Sequence, residues 1–351
     1  MANIGHNLSS RSRRQYLKSV AALSAAGAAG FAGCLGDDDG GYSLEANAAG
    51  ADGTVHGDVA KMVGERLSEK TDGEIEIDAF TDNELGGLNE SMENVASGAL
   101  DIYVNVYGLA AGFYPEAQIF DAPYMYDDDD PYEHMIEVTD PTQSESAEEL
   151  IEAIAEETGL RSLGTFPQGT RRVSISGDAV YHPDDMEDIL LRGVPVPIFE
   201  ETVVGLGAQV TELDWGEVPQ ALSTGSVDGQ ENPYEIMVGA GIQEHTDYVL
   251  ETNHMHPALA FWINDDLWQE FSDEQQDLFY EAIHEAQPEA VEQLETNIDE
   301  SRDAFLDEGA EIITKDELEY DAFVSQTREH ISNEFPDFVE RIEEISGETY
   351  E

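Results

Sequence analysis

Apolar and polar residues follow two different periods along this chain, and together they predict an α/β fold in which helices cover sheets. Glu74 to Phe80 alternates apolar and polar residues, as a half-buried strand does. Tyr42 to Ala48 and Leu100 to Val106 are predicted strands as well. Val55 to Thr71 and Leu88 to Gly98 instead have the spacing of amphipathic helices, so strand and helix alternate along the chain.

Longer helical patterns occur further along the chain. Ser146 to Thr158 is a predicted helix, with Ser146 and Glu149 at the spacing of a capping box. Asp273 to Gly309 has apolar residues at helical spacing and contains Pro288, which can kink a helix. A helix of about 35 residues would be roughly 50 Å long, which is more than one small domain needs. We therefore expect this helix to brace two lobes.

Acidic residues outnumber basic residues so strongly that the charge restricts the possible partners. The 351-residue chain has 15 Lys and Arg against 77 Asp and Glu, and its formal net charge is −62. This charge repels nucleic acid and anionic lipid, and it favours a monomer. At about 1 M salt the Debye length falls to roughly 3 Å, which removes most of the self-repulsion. The composition therefore predicts a protein of a salt-loving archaeon, with enough hydrophobic residues for two domain-sized cores.

Residues 1–33 are predicted to be a twin-arginine lipoprotein signal peptide. Arg13 and Arg14 precede an Ala- and Gly-rich apolar run that ends before Cys34, the only cysteine of the chain. We expect a lipid on Cys34 and a tether over residues 34–41; the alternative is an ordinary signal peptide with an incidental cysteine. The predicted location is the outer face of the cytoplasmic membrane, where the lipid is the only membrane contact.

The sequence contains no legible catalytic or cofactor motif. Neither a G-x-S-x-G elbow nor a G-x-x-x-x-G-K-[ST] phosphate loop is present. His254 and His256 would point the same way in a strand, but two histidines without a third ligand are more often structural than metal-binding. The acidic run from Asp127 to Asp130 is interpreted as a solvated loop, because it lacks the alternating ligands and the glycine of a calcium loop. We therefore predict no enzyme, no cofactor and no metal.

Three arginines stand close together in a chain that has few cations: Arg171, Arg172 and Arg192. A guanidinium is always charged and suits bidentate binding of a carboxylate. Our hypothesis is that one or two of them hold a small organic anion; the alternative is an internal ion pair. Trp215 could form a flat apolar wall and Asn232 could donate to a carboxylate or hydroxyl, although core packing and a turn explain them equally well.

The stretch from Trp215 to Pro233 (WGEVPQALSTGSVDGQENP) resembles a segment of the solute-binding proteins of tripartite ATP-independent periplasmic (TRAP) transporters, in the dicarboxylate-binding (DctP-like) family. The most specific piece is Asp-Gly-Gln-Glu-Asn-Pro. Other pieces follow in the family's order: Lys70 to Phe80, Ser97 to Asp101, Phe120 to Tyr124, Gly169 to Arg171, and Asp185 to Arg192. The likeness covers roughly residues 45–300.

The resemblance implies a two-lobed periplasmic-binding-protein fold of the venus-flytrap type, with hinge strands and a long helix that spans both lobes. Lobe I would comprise residues 42–168 and 257–298, and lobe II residues 169–256 and 299–351. Such a protein captures a small organic carboxylate and delivers it to the TRAP permease subunits in the membrane. The alternative is an extracytoplasmic sensor or chemotaxis protein with the same two lobes.

The resemblance also implies ligand-binding residues. The family's carboxylate-binding arginine matches Arg192, and a second arginine contact matches either Arg171 or Arg172, of which a strand would aim only one at the cleft. Other positions that match pocket residues of the family, the last two only loosely, are Asn232, Trp215, Asn105 and Tyr107. Asp188, Leu190 and Gly193 depart from the family's pattern around Arg192, so the loop that follows this arginine is expected to differ.

Overall fold

A computed structural model describes residues 41–126, 130–347 and 349–350. The predicted signal peptide, Cys34, the tether up to residue 40 and residues 127–129 of the acidic run lie outside these ranges. Asp130, the last residue of that run, caps a helix by accepting from Glu133 N at 3.3 Å. No helix within the described ranges has both the length and the apolar character that a membrane span requires.

The strands of the described residues form two mixed sheets. The five-stranded sheet has the order β2-β1-β3-β10-β4, with β10 antiparallel to both of its neighbours. The six-stranded sheet has the order β11-β9-β5-β8-β6-β7, with β5 antiparallel to both of its neighbours. The strands are β1 (Tyr42–Ala48), β2 (Ile75–Phe80), β3 (Ile102–Val106), β4 (Leu160–Pro167), β5 (Arg171–Ile175), β6 (Leu190–Gly193), β7 (Gln209–Glu212), β8 (Gly229–Asn232), β9 (Tyr248–Met255), β10 (Ala258–Asn264) and β11 (Glu311–Ile313).

Helices cover both sheets because each has one apolar face. In the first helix, Val59, Val63 and Leu67 lie one turn apart and are fully buried, while the Thr54 side chain caps the start by accepting from Gly57 N at 3.1 Å. The helices are α1 (Val55–Lys70), α2 (Leu88–Ala96), α3 (Pro131–Thr139), α4 (Glu145–Thr158), α5 (Pro197–Gly205), α6 (Val218–Thr224), α7 (Tyr234–Gly239), α8 (Asp265–Trp268), α9 (Asp273–Glu308), α10 (Tyr320–Glu334) and α11 (Pro336–Ser346).

Each sheet and its helices form one lobe, which confirms the predicted two-lobed α/β fold. Lobe I contains the five-stranded sheet with α1 to α4 and α8, and lobe II contains the six-stranded sheet with α5 to α7 and α10. The largest apolar cluster fills lobe I, and two smaller clusters fill lobe II. The predicted long helix is present as α9, which continues through Pro288 and contacts α1 and β4 of lobe I as well as α7 and β11 of lobe II.

Two short connections carry the chain between the lobes. β4 of lobe I leads into β5 of lobe II through residues 168–170, and β9 of lobe II leads into β10 of lobe I through His256 and Pro257. Gln168 N donates to Pro257 O at 3.1 Å, so the two crossings lie side by side. These crossings are the place where a hinge between the lobes would lie.

Two details of the sequence-based assignment are wrong. The predicted cap of α4 is Ser146, but the helix starts two residues earlier. The cap is Ser144, whose side chain accepts from Ala147 N at 3.3 Å, and Ser144 N donates to Asp140 O in the preceding turn.

The C-terminal helix belongs to the other lobe from the one predicted. All of residues 299–351 are predicted to lie in lobe II, but α11 packs against α3 and α4 of lobe I. Pro336 cannot continue α10, so the chain turns there and buries Ile342 in the lobe I core.

Candidate ligand-binding cleft

A cavity of about 160 Å³ lies between the lobes and is lined by both of them. Five of the seven predicted ligand-binding residues contribute to its walls: Arg171, Arg192, Trp215, Asn232 and Asn105. Lobe I provides the last of these, and lobe II provides the first four. Tyr107 and Arg172 are not in the lining. The structure thus brings most of the predicted site together, and whether these side chains bind a ligand stays a prediction.

Arg192 is buried in the cavity wall without an acidic partner. It lies in β6 between β7 and β8, and its side chain is only 2% exposed. Its Nε donates to Leu213 O at 2.9 Å, and its guanidinium carbon is 5.5 Å from the centre of the Trp215 ring. Among the described residues, no carboxylate oxygen lies within 4.0 Å of its guanidinium nitrogens. Burial lowers the pKa of Arg192 to about 10, so it is still charged at neutral pH.

Arg171 is equally buried, but the protein supplies its counter-ion. Its Nε and Nη2 bind the two carboxylate oxygens of Glu231, the latter at 2.7 Å, and Nη2 also donates to Glu231 O at 2.7 Å. Its Nη1 donates to Gln168 Oε1 at 3.0 Å. One N–H of Nη1 is therefore the most that Arg171 can offer to a ligand without a rearrangement.

His254 of β9 also contacts the carboxylate of this ion pair. Because a carboxylate can only accept, His254 Nε2 donates to Glu231 Oε2 at 3.1 Å, and the ring's Nδ1 accepts from Thr252 Oγ1 at 2.8 Å. Burial lowers the pKa of His254, so the ring is neutral. Burial would raise the pKa of Glu231, but the charge of Arg171 and the hydrogen bonds from His254 and Arg171 outweigh it and bring this pKa to about 2.

Strand alternation separates Arg172 from Arg171. Arg172 Nη1 donates to Thr170 O at 2.8 Å, and its guanidinium carbon lies 4.6 Å from the centre of the Tyr234 ring. Of the two candidates for the second arginine contact, Arg171 faces the cavity, and Arg172 faces away from it because successive residues of β5 point to opposite sides.

The other polar groups of the cavity wall are held by internal hydrogen bonds. Asn232 Nδ2 donates to Gln230 Oε1 at 2.7 Å. Asn105 Nδ2 donates to Tyr103 OH at 2.6 Å, while Asn105 Oδ1 accepts from Val106 N at 2.8 Å. These contacts fix the amide orientations and leave fewer free donors than the sequence alone indicates.

Comparison with known proteins identifies the family of this chain. The profile of the family described as "Bacterial extracellular solute-binding protein, family 7" (DctP) matches residues 46–335. The chain belongs to this family. Because its members bind solutes, this solute-binding protein is not an enzyme.

Two relatives of this solute-binding protein are named for binding ectoine. It is 29% identical over 235 residues to the ectoine-binding periplasmic protein TeaA of Halomonas elongata, a match that covers 67% of each chain. It is 28% identical over 283 residues to the ectoine/5-hydroxyectoine-binding protein UehA of Ruegeria pomeroyi, covering 74% of this chain and 81% of the relative.

Solved structures of TRAP solute-binding proteins have the same fold. A protein from Polaromonas sp. JS666 bound to D-erythronate has a TM-score of 0.78 at 21% identity, covering 87% of this chain and 98% of the other. A Chromohalobacter salexigens protein with bound D-glucuronate has a TM-score of 0.78 at 24% identity, covering 87% and 99%. At these identities the likeness shows the fold alone.

Tyr107 does not reach the cavity of this solute-binding protein. Its ring is fully buried in lobe I, and its hydroxyl is 2.9 Å from both Ser162 Oγ and Thr165 Oγ1. It follows β3 directly, so its backbone is close to the cavity, but these two hydroxyl partners hold the side chain in the core. The prediction that Tyr107 contacts a ligand has no geometric support.

Several residues of the cavity wall are not among the predicted site residues. A chain of hydrogen bonds leads from Arg171 through Gln168, whose Nε2 lies 3.4 Å from His56 Nδ1, to His56 Nε2, which donates to Val104 O at 3.1 Å. Burial lowers the pKa of His56 to about 4, so this ring is neutral. Gln168 directly precedes the glycine of the Gly-x-Arg motif, which was the available signal; none marked His56. Apolar lining residues also missed are Leu88, Val106, Leu109, Val194, Phe199 and Ile236.

The two histidines that were considered as metal ligands have separate partners. His254 binds Glu231 and Thr252, whereas His256 Nδ1 lies 3.0 Å from Thr170 Oγ1 in the crossing segment. Within the described ranges, no group of three or more His, Cys, Asp or Glu is arranged to hold a metal ion.

Proposed function

We propose that this protein is the extracytoplasmic solute-binding subunit of a TRAP-type secondary transporter, and that it captures a small organic acid anion between its lobes and delivers it to the membrane permease. The observation that carries the proposal is Arg192, a buried guanidinium that faces the cavity and has no acidic partner among the described residues. Burying a charge without a counter-ion is costly, so the missing counter-ion is expected to be the carboxylate of the ligand.

Capture follows from the position of the cavity between two lobes. When the lobes are apart, a carboxylate can pair with Arg192 on lobe II. Closure then brings Asn105 and the apolar wall of lobe I against the rest of the ligand and excludes water. In the lower dielectric the charge pair is stronger, and this difference in contact energy is what favours the closed state.

The names of the relatives support a carboxylate as ligand. D-erythronate and D-glucuronate are carboxylates, and ectoine also carries one. This common group is complementary to Arg192, the cation of the cavity wall that has no acidic partner among the described residues. The dicarboxylate specificity implied by the sequence resemblance has no such support among these names.

Calorimetry on Arg192→Gln tests the proposal. With an acid that binds the wild type, we expect affinity to fall by about 10²- to 10⁴-fold, which corresponds to about 3–5 kcal/mol for a broken buried charge pair. Arg302→Gln is the matched control, because Arg302 is partly exposed, pairs with Glu251 and lies outside the cavity lining. If both variants bind like the wild type, Arg192 does not hold the ligand.

Delivery is tested separately from capture. Uptake of the bound acid into vesicles that contain the permease subunits should require this protein. If the acid binds but no uptake follows with any co-encoded permease, the protein acts as a sensor with the same two lobes.

Export and anchoring are also part of the proposal. We infer twin-arginine export, a lipid on Cys34 and a monomer in high salt, on the grounds of the sequence motif and of the net charge. Cys34→Ser should release the protein from the membrane fraction into the medium without changing ligand affinity. If the variant stays on the membrane, another contact anchors it.

A further inference from the structure

The charges of the cavity wall almost cancel. Arg171 and Glu231 form a neutral unit, and His56 is a neutral ring that donates to a backbone carbonyl. The remaining charged lining residues are Arg192 on lobe II and Asp82 on lobe I. One positive charge is thus free for a ligand, and one negative charge lies on the opposite lobe.

A second carboxylate on the ligand would find no second cation without an internal counter-ion among the described lining residues. Arg171 is saturated by Glu231 except for one N–H, and the amides of Asn105 and Gln168 are held by neighbours within the protein. Much of the remaining wall is apolar. Burying a carboxylate there without a counter-ion or a set of donors is unfavourable.

The loop that carries Asp82 holds it in an uncommon conformation. Asp82 has φ +54° and Asn83 has φ +56°, in the left-handed region that Asp and Asn tolerate better than most residues. Two backbone hydrogen bonds hold the loop: Asn83 N donates to Ala48 O, at the end of the first strand, at 2.9 Å, and Asp82 N donates to Gly50 O, just after that strand, at 3.0 Å. Asp82 is an exposed residue that lines the cavity, and the described side-chain hydrogen bonds and ion pairs of the cavity wall do not involve its carboxylate.

We propose that the cleft selects a monocarboxylate with a hydrogen-bond donor at its far end, and that Asp82 is the specificity-determining residue that accepts this donor and rejects a second carboxylate. The proposal rests on the proposed function, since Arg192 must hold the first carboxylate. A hydroxyl and a cationic N–H group share the required donor chemistry. A dicarboxylate of the same length places a negative charge where Asp82 already lies.

Matched acids test this selectivity. D-gluconate and D-glucarate have the same six-carbon chain with one and two carboxylates, and D-erythronate and meso-tartrate are the four-carbon equivalents. In 2 M KCl, calorimetry on the wild type should give a monocarboxylate affinity at least about 100-fold higher than that of its dicarboxylate partner. Ectoine is a zwitterion with one carboxylate, so its affinity tests whether the donor at the far end of the ligand can be a cationic N–H group instead of a hydroxyl.

Two variants assign the selectivity to named residues. Asp82→Asn should narrow the ratio between the two acids by about tenfold, whereas Glu84→Gln, an exposed residue of the same loop that does not line the cavity, should leave it unchanged. Glu231→Gln frees the charge of Arg171 and should also favour the dicarboxylate. Because Asp82 is exposed, we expect Asp82→Asn to fold, so the affinity ratio can be measured on this variant even if Glu231→Gln does not fold.

The outcomes separate the two proposals. A dicarboxylate that binds the wild type as tightly as its partner overturns the selectivity, and so does an Asp82→Asn variant with an unchanged ratio. If neither monocarboxylates, dicarboxylates nor ectoine bind, the proposed function itself fails, because no carboxylate is captured.

Discussion

Arg171 and Arg192 lie on strands that flank the same central strand, β8, and both are 2% exposed in the wall of one cavity. Arg171 has Glu231 as an internal counter-ion, whereas Arg192 has a backbone carbonyl and an aromatic ring. The same residue type therefore has two roles. The charge of the first arginine is balanced within the protein, and under the proposed function the second arginine is available to a ligand.

The difference follows from the cost of burying charge. A buried pair with good hydrogen bonds compensates much of the desolvation of its two ions, and removing one partner leaves the other exposed to the full cost. In the ligand-free protein the charge of Arg192 is desolvated without a carboxylate partner among the described residues. The two arginines should thus respond in opposite ways to substitution.

The largest effect is expected when the internal counter-ion is removed. Glu231→Ala leaves Arg171 unpaired and His254 without its acceptor, so we expect the free energy of unfolding to fall by about 3–5 kcal/mol. Urea denaturation in 2 M KCl measures this. Glu217→Ala, an exposed acid with the same charge, is the control and should change stability by less than about 0.5 kcal/mol. A loss below about 1 kcal/mol would show that Arg171 needs no partner.

Glu235 is a buried carboxyl group that has no cationic partner among the described residues. Glu235 accepts from Asn297 Nδ2 at 3.0 Å and Val55 N at 3.3 Å, and burial, with Asp58 nearby, raises its pKa to about 7. Unlike Arg192, it can lose its charge by taking a proton.

The raised pKa of Glu235 has a defined sign. Protonated Glu235 favours the folded state, and this contribution is fully present below the unfolded pKa near 4.5. As pH rises through 7 the contribution is lost, and the free energy of unfolding falls by up to about 3 kcal/mol. Urea denaturation between pH 5 and 8 should show this loss in the wild type relative to Glu235→Gln. A constant difference between the two proteins over this range would contradict it.

A smaller effect of opposite sign is expected at Arg192. Arg192→Leu removes the uncompensated charge, so we expect the ligand-free protein to gain about 1–3 kcal/mol, while Arg171→Leu loses stability because Glu231 is left unpaired. Thermal unfolding of both variants in the same buffer measures the contrast. Equal destabilisation by the two substitutions would remove the distinction on which the ligand assignment depends.

The smallest effect concerns a residue outside the cavity. Tyr107→Phe removes the hydroxyl shared with Ser162 and Thr165, so stability should fall by about 1 kcal/mol and ligand affinity should not change. Urea denaturation and calorimetry on the same preparation separate the two. A clear loss of affinity with unchanged stability would return Tyr107 to the binding site.

Much of the fold could be predicted because it depends on local patterns. The early strands and the first two helices were predicted from periodicity, and α9 was predicted from its apolar spacing. The packing of α11 was not predicted, because it depends on the turn at Pro336 and on contacts with α3 and α4, which are far away in the sequence.

The site was harder to predict because it depends on which groups pair across the fold. The sequence pointed to Arg192 and left Arg171 and Arg172 open, and strand alternation in β5 decided between them. It did not indicate that Glu231, 60 residues further along, neutralises Arg171. Nor did it show that Tyr107 turns into the core, since that depends on hydroxyl partners in a distant strand.

The unpaired guanidinium has a practical consequence. A ligand that binds only the folded protein stabilises it by RT ln(1 + [L]/Kd), about 2.7 kcal/mol at 100 times Kd. Under the proposed function the ligand supplies the counter-ion of Arg192, so ligand binding should raise the melting temperature, and release to the permease should lower it again. The melting temperature of this protein would then report the fraction of molecules that have ligand bound.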